Sequence, residues 1–287
     1  MVLFRQPGRV LVLVLFTGVA GCGALDNGKR PTLEGEMAVI DQTGLNDIML
    51  TMANPEEAVA HFRNALAREP DNPEFMRGLA TSLVRAKQPQ QAAPVFERLI
   101  GTGKATTEDR LLYAESLVGA GAIPDAEKQL DQIPPTVETY KRYLLEAIVA
   151  DHNKEWKKSD SFYETARGLT TKPAAVMNNW GMSKLARGDF DTAANYFQQA
   201  ITFNPEMFQA KNNLVTARGR KRNYQMPVIP MNEEEEAVLL YNLGIIAVRQ
   251  GDTDVARGLF ELAVETHPQH YPEAADNLAA LQNAVGR

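Results

Sequence analysis

Few residues in this sequence have the types and spacing that chemistry requires. Of the four histidines, only His267 and His270 lie close together, and a metal site needs more than two ligands. The sequence contains no glycine-rich phosphate loop, and its serines and carboxylates follow no nucleophile–base or acid–base pattern. It therefore predicts no enzyme, no metal or other cofactor and no small-molecule substrate.

The single cysteine, Cys22, is the exception. It follows arginines at positions 5 and 9, an apolar run at 10–16 and small residues at 19–21, which is the order of a secretory signal peptide. The residues VAGC at 19–22 resemble the lipobox of bacterial lipoproteins, in which cleavage leaves a lipid-bearing cysteine as the first residue. We therefore expect a signal peptide at 1–21 and a covalent lipid anchor on Cys22; the alternative is a stray thiol.

The residues after Cys22 indicate where the anchored chain resides. Gly23, in place of an aspartate, resembles the signal that sends lipoproteins to the outer membrane of Gram-negative cells. Residues 22–38 lack periodicity and predict a flexible tether. The net charge of −6 argues against a nucleic-acid partner. We expect a protein that faces the periplasm from the outer membrane.

The remainder of the chain repeats. A small residue recurs after 34, 34, 33 and 34 residues and again after 63, at Ala58, Ala92, Ala126, Ser159, Ala193 and Ala256. A large apolar or aromatic residue follows each of them by four positions. This period and pattern resemble the tetratricopeptide repeat, a pair of antiparallel helices. The resemblance implies an all-α fold, a right-handed solenoid of antiparallel helix pairs.

We predict this solenoid over residues 39–287. Six repeats are expected at 39–72, 73–106, 107–139, 140–173, 174–207 and 237–270, with an interrupted half repeat at 208–236 and a capping helix at 272–285. The fourth copy departs from the pattern, because Glu146 stands where the first helix of a copy carries a large residue. Pro134 and Pro135 should end the second helix of the third copy early.

Local signals support this register. Asn54, Asn72 and Asn204 each precede a proline, a pair that typically starts a helix, whereas Pro94 lies inside a predicted helix and should kink it. Between the helices of the copy at 174–207, glycine at 188 should end the first and aspartate at 189 should cap the second. Small residues let helices approach and large ones fill the space between them. The predicted packing residues are Gly181, Ala193, Phe197, Ala200, Gly244, Ala256, Phe260 and Ala263.

The array is interrupted after a helix predicted at about 208–218. A basic cluster, RGRKR at 218–222, follows where cations favour a helix C-terminus. The next residues, YQMPVIPM at 224–231, contain two prolines and exclude a regular helix. We expect this apolar loop to fold back into the space of a missing helix; the alternative is an exposed docking segment. Asn232 and Glu235 should then cap a new helix.

An asparagine precedes the large residue of four successive first helices, at Asn179, Asn213, Asn242 and Asn277. In this type of repeat the position faces the concave groove, where an amide can donate to and accept from an extended peptide. The candidate groove residues are Asn178, Asn179, Asn212, Asn213 and Asn242. The alternative is that these amides bond within the array.

Several motifs extend the resemblance. The lipobox, the copy with NNWG and ARGDF, the interruption YQMPVIPM with its acidic run, and LGIIAVRQGD resemble the TadD-type lipoproteins of tight-adherence (Flp-type) pilus assembly systems. Membership implies an outer-membrane scaffold that supports the pilus secretin in the manner of a pilotin, by binding the secretin or an associated assembly protein. The alternative is another periplasmic scaffold lipoprotein, for type IV pili, cell-wall enzymes or outer-membrane protein assembly.

Overall fold

Helices account for the regular structure of the part of the chain that the structure describes. The computed structural model describes residues 44–285, and no strand occurs among them. After a helical stretch at 44–51, the helices are α1 (Pro55–Arg68), α2 (Pro73–Arg85), α3 (Pro89–Gly101), α4 (Thr107–Gly119), α5 (Ile123–Leu130), α6 (Tyr140–His152), α7 (Trp156–Gly168), α8 (Ala174–Ala186), α9 (Phe190–Phe203), α10 (Phe208–Arg220), α11 (Glu233–Arg249), α12 (Thr253–Thr266) and α13 (Pro272–Val285). The predicted all-α fold is confirmed.

Each helix from α1 to α12 packs against its successor, which is the arrangement of a solenoid. The first helices of the copies include α2, α4, α6, α8 and α11, and the second helices are α1, α3, α5, α7, α9 and α12. The predicted signal peptide, Cys22, Gly23 and the tether at 22–38 lie outside the described residues and stay predictions.

Capping side chains set where several helices start. Asn72 caps α2 and Asp189 caps α9, each by accepting from a backbone N–H group of the first turn. Asn232 and Glu235 form the predicted capping box at the start of α11. Gly188 takes φ of +79° after α8, a left-handed conformation that suits glycine and ends the helix as predicted.

One local signal acts differently from the expectation. Asn204 does not cap a helix: its side chain accepts from the backbone N–H of Glu206, but a turn follows and α10 starts only at Phe208. Pro94 lies inside α3, which continues as one helix from Pro89 to Gly101, and the predicted kink stays a prediction. The proline lies on the exposed side of that helix, so water can replace the backbone donor that it lacks.

In several helix pairs a phenyl ring lies directly over a glycine of the partner helix. Phe197 of α9 covers Gly181 of α8, and Phe260 of α12 covers Gly244 of α11. A Cβ atom would lie 2.6 Å from the ring at Gly181 and 2.5 Å from it at Gly244. Both distances are well inside van der Waals contact, so only glycine permits this approach. The predicted packing residues Ala193, Ala200, Ala256 and Ala263 are also fully buried.

The fourth copy, α6 and α7, is a regular helix pair despite Glu146. Arg142 donates to Glu146 across 2.7 Å, and both side chains are largely buried. The same guanidinium donates to the backbone carbonyls of Pro134 and Val137, in the loop that follows the short helix α5. An ion pair therefore occupies the place of the large apolar residue and also fixes this loop.

The last helix, α13, lies against α12 and closes the described array. Ala274 is fully buried, and Leu278 and Leu281 are half-buried against the core of α11 and α12. The two leucines face inward, as expected of a terminal capping helix.

Alanine substitutions at two helical glycines of one helix pair test the close approach. In a helix interior, alanine is more favourable than glycine by about 0.8–1 kcal/mol. Gly244→Ala should nevertheless lower the free energy of unfolding by about 1–3 kcal/mol, because the new Cβ overlaps the Phe260 ring. Gly258→Ala, on α12 with nothing within 4 Å of its Cβ position, should raise that free energy by about 0.5–1 kcal/mol. Urea denaturation followed by circular dichroism measures both; a stabilising G244A would contradict the packing described.

Candidate protein-binding site

The predicted groove asparagines are brought together as hydrogen-bonded pairs. Asn213 of α10 donates from Nδ2 to Oδ1 of Asn178 on α8 across 2.9 Å, and both side chains are buried. Asn242 of α11 donates in the same way to Asn212 of α10 across 2.8 Å, and this pair is half-buried. Two amide bridges therefore connect α8, α10 and α11 in series.

The remaining two asparagines bond locally. Asn179 donates to the carbonyl of Ala175 on its own helix, and Asn277 donates to the carbonyl of Glu273. These contacts favour the interpretation that the amides bond within the array. The half-buried Asn212–Asn242 bridge, with amide groups still partly exposed, is the member of the set best placed to meet a partner.

Helices α10 and α11 run parallel, because their starts and their ends are bonded together. Lys211 bonds to Glu235 at the starts, and Gln250 donates to the carbonyl of Arg220 at the ends. In a regular array the intervening second helix returns the chain to the starting side. Here residues 221–232 return the chain instead. An extended segment of this length reaches about 40 Å, which is more than the length of about 20 Å of the 13-residue helix α10.

The returning segment packs onto the helices with most of its apolar side chains, and the expectation that it folds back is confirmed. Tyr224, Met226 and Met231 contact the core of α11 and α12, and Ile229 contacts the core of α8 to α10. Val228 points outward and is fully exposed. The segment therefore covers the surface that a missing second helix leaves open.

Polar contacts fix the start of this segment. The Tyr224 hydroxyl donates to Asp252 and lies near Gln250, at the turn between α11 and α12, and Arg222 also pairs with Asp252. Burial and the bond to the Asp252 carboxylate raise the pKa of Tyr224 to about 12. The phenol therefore remains a donor at any physiological pH.

A buried ion pair connects the starts of α10 and α11. The Lys211 side chain is 2% exposed, and its Nζ lies 2.7 Å from Oε2 of Glu235. Glu235 also belongs to the capping box with Asn232. A buried ammonium is stable only with such a partner, so this pair fixes α11 against α10 where the helix between them is missing.

A second polar network, which the sequence did not reveal, joins α6, α7 and α8. Asp151 accepts hydrogen bonds from Ser159, Tyr163 and Ser183, and Arg187 reaches the same carboxylate at 3.3 Å. Burial and the neighbouring Asp151 charge raise the pKa of the Tyr163 hydroxyl, which stays a neutral donor. The network fixes the three helices in one register.

Arg187 extends this network to a second carboxylate. It donates to both oxygens of Asp160, which also accepts from Trp180 and Lys184, and its guanidinium lies 4.8 Å from the ring centre of Trp156. Burial alone would raise the pKa of Asp160, but these hydrogen bonds outweigh it and hold that pKa below its ordinary value. One residue could have pointed to this network in the sequence. Ser159 places a hydroxyl group at the small-residue position that alanine occupies in the other copies.

The described residues contain no cluster suited to a metal ion, that is, no group of three or more His, Cys, Asp and Glu side chains. His267 instead contacts the backbone of Gln269 and lies against Tyr271. None of the helices in residues 44–285 is both long enough and apolar enough to cross a membrane.

Comparisons with known proteins agree with the helix pairing. One model of the tetratricopeptide repeat matches residues 50–108 and 178–225, and a second matches 239–270. The chain therefore contains tetratricopeptide repeats over these ranges. Proteins with such repeats bind protein partners, and their fold is typically an interaction scaffold. The matched ranges flank 109–177, the part with the short α5 and with Glu146.

Similar proteins share this repeat over limited lengths. Tetratricopeptide repeat protein 8 of Mus musculus is 51% identical over 55 residues, which are 19% of this chain and 10% of that protein. Bacteriophage adsorption protein A of Escherichia coli is 27% identical over 70% of this chain and 22% of its own length. The crystal structure of the APC/C hetero-tetramer Cut9-Hcn1 superposes with a TM-score of 0.57 at 12% identity, over 82% of this chain and 48% of that one. The chain thus spans only part of each, and the structural similarity concerns the fold.

Substitutions in the Lys211–Glu235 pair test its role at the interruption. Glu235→Gln should cost about 3 kcal/mol of unfolding free energy, because it leaves a buried ammonium unpaired. Lys211→Met should cost less, about 1 kcal/mol, since Glu235 is 21% exposed and keeps some hydration. The double variant should recover part of the E235Q loss. Urea denaturation measures all three, and equal losses for both single variants would contradict a buried pair.

Proposed function

We propose that this protein is a lipoprotein scaffold of the outer membrane that supports the assembly of a tight-adherence (Flp-type) pilus machine. Its solenoid binds a segment of the pilus secretin or of an associated assembly protein, and Cys22 holds it at the membrane. The observation that carries the binding role is the face of α8, α10 and α11, which two amide bridges connect, one buried and one, between Asn212 and Asn242, half-buried.

The interruption of the array supports the pilus assignment. Its sequence, from the NNWG motif to the LGIIAVRQGD motif, carries the resemblance to the TadD-type lipoproteins. The same residues form the bridged face, the buried Lys211–Glu235 pair and the returning segment at 221–232. A repeat that only extends the solenoid would not need the parallel helices α10 and α11 or the buried ion pair that joins them. We therefore expect a dedicated partner to bind at this junction.

The lipid anchor explains how a scaffold without catalytic chemistry acts at one place. A diacylglycerol and an amide-linked acyl chain on Cys22 exceed the two signals that stable anchoring requires. Gly23 favours transport to the outer membrane, where a secretin resides. The tether at 22–38 then lets the solenoid reach a neighbouring channel subunit.

Substitution of the lipidated residue tests the anchor. The Cys22→Ala protein should be absent from washed outer membranes, because it lacks both acyl chains. Cell fractionation with immunoblotting measures this, and substitution of another small residue of the predicted tether, Ala24→Ser, is the matched control. Recovery of the C22A protein in the washed outer membrane at the wild-type level would refute the anchor.

Site-directed photocrosslinking tests the partner. A photoreactive phenylalanine at Met182 of α8, which is 42% exposed, or at Thr216 of α10 should crosslink a secretin or another pilus assembly protein in cells. The same group at Gln198 or Glu261, exposed positions on second helices, is the control. Mass spectrometry identifies the products. Crosslinks to components of other envelope systems, or equal pilus crosslinks from all four positions, would refute the proposal.

A further inference from the structure

We infer that the cleft at the ends of α10 and α11 binds an acidic segment of a protein partner that also carries an apolar side chain. This inference rests on the proposed binding role of the same face and adds the chemistry of the ligand. The cleft has a volume of about 390 Å³ and is lined by Phe190, Thr216, Arg220, Ile246, Arg249 and Gln250.

The cleft is continuous with the amide bridge between α10 and α11. Thr216 and Arg220 follow Asn212 at intervals of four residues, so the three share one face of α10. Ile246 and Gln250 follow Asn242 at the same intervals on α11. Because the two helices are parallel, a segment lying between them would meet the half-buried amides first and the cleft second.

Charge is the property that selects the occupant. Within the described residues, no carboxylate lies within ion-pair distance of Arg220 or Arg249, and both arginines are exposed. The nearby acids are already paired, Asp191 with Lys221 and Asp252 with Arg222. The cleft is therefore a cationic site on a chain whose net charge is −6.

The two helix ends only partly offset this charge. Each helix C-terminus carries about half a negative charge, which favours an arginine in its last turn. Two full positive charges on Arg220 and Arg249 exceed the two half charges and leave the cleft attractive to a carboxylate. Arginine also binds a carboxylate through two parallel hydrogen bonds, which gives the site directional preference.

The apolar lining argues for a protein ligand. Phe190 and Ile246 are half-buried at the cleft, and the Arg220 guanidinium lies 5.7 Å from the centre of the Phe190 ring. A free anion would use the arginines alone, whereas a peptide can place a carboxylate on them and an apolar side chain between Phe190 and Ile246. A nucleic acid would face the repulsion of an acidic protein.

Peptide selection tests the inference. A random peptide library displayed on phage is selected on the full-length chain purified in detergent, in parallel on wild type, R220Q/R249Q and R68Q/R167Q. Arg68 and Arg167 lie in the last turns of α1 and α7, so the control removes the same charge from equivalent positions elsewhere. Circular dichroism verifies that each variant folds. Glutamine keeps a polar side chain at each position but removes its charge and the paired guanidinium donors.

Wild type and the control should enrich peptides with Asp or Glu next to an aromatic or aliphatic residue. A fluorescein-labelled peptide of the most enriched sequence should bind R220Q/R249Q about tenfold more weakly, and its binding to wild type should weaken with added salt. Enrichment without acidic residues, equal binding by R220Q/R249Q, or no enriched sequence would overturn the inference. If crosslinks from positions 182 and 216 to a pilus protein persisted, the proposed function would stand without it.

Discussion

The close contact between a phenyl ring and a helical glycine is the constraint on which the array depends. At Gly181 under Phe197 and at Gly244 under Phe260, the ring of one helix lies directly against the backbone of its partner helix, with no room for a Cβ atom between them. Such a short contact buries the ring completely and leaves little room for helix rotation. These contacts therefore fix the faces that α8 and α11 present to their neighbours, including the side chains that bond to α10.

Where the apolar pattern fails, buried polar contacts replace it. In the fourth copy, Arg142 and Glu146 occupy the place of a large side chain, and Asp151 gathers three hydroxyl groups and a guanidinium between α6, α7 and α8. At the interruption, the Lys211–Glu235 ion pair holds α11 against α10, where a regular array would have a second helix between them. Such groups have few acceptable partners when buried, so they specify one register where shape alone would permit several.

The sequence was sufficient for the periodic parts and insufficient for the polar ones. Alanine and phenylalanine at fixed spacing predicted which faces pack, because that information is local and repeats. The helix end at Gly188 and the capping box at Asn232 followed from residues within four positions of one another. The asparagine row is periodic, but its spacing does not show that Asn213 bonds to Asn178, 35 positions away. The Asp151 network joins residues up to 36 positions apart, and no periodic pattern marks it. The prediction for Asn204 was wrong because an asparagine–proline pair can start a turn as well as a helix.

Helix α10 belongs to two cores at once. Ala210, Leu214 and Ala217 pack with α8 and α9, while Val215 packs with α11 and α12. In a linear array, cooperative unfolding passes from one unit to the next only through such shared interfaces. The segment after α10 also contacts both cores, through Ile229 on one side and Met226 and Met231 on the other. The energetic coupling of the two halves therefore falls on α10 and this segment. The interruption is therefore the position at which the array can separate into two folding units.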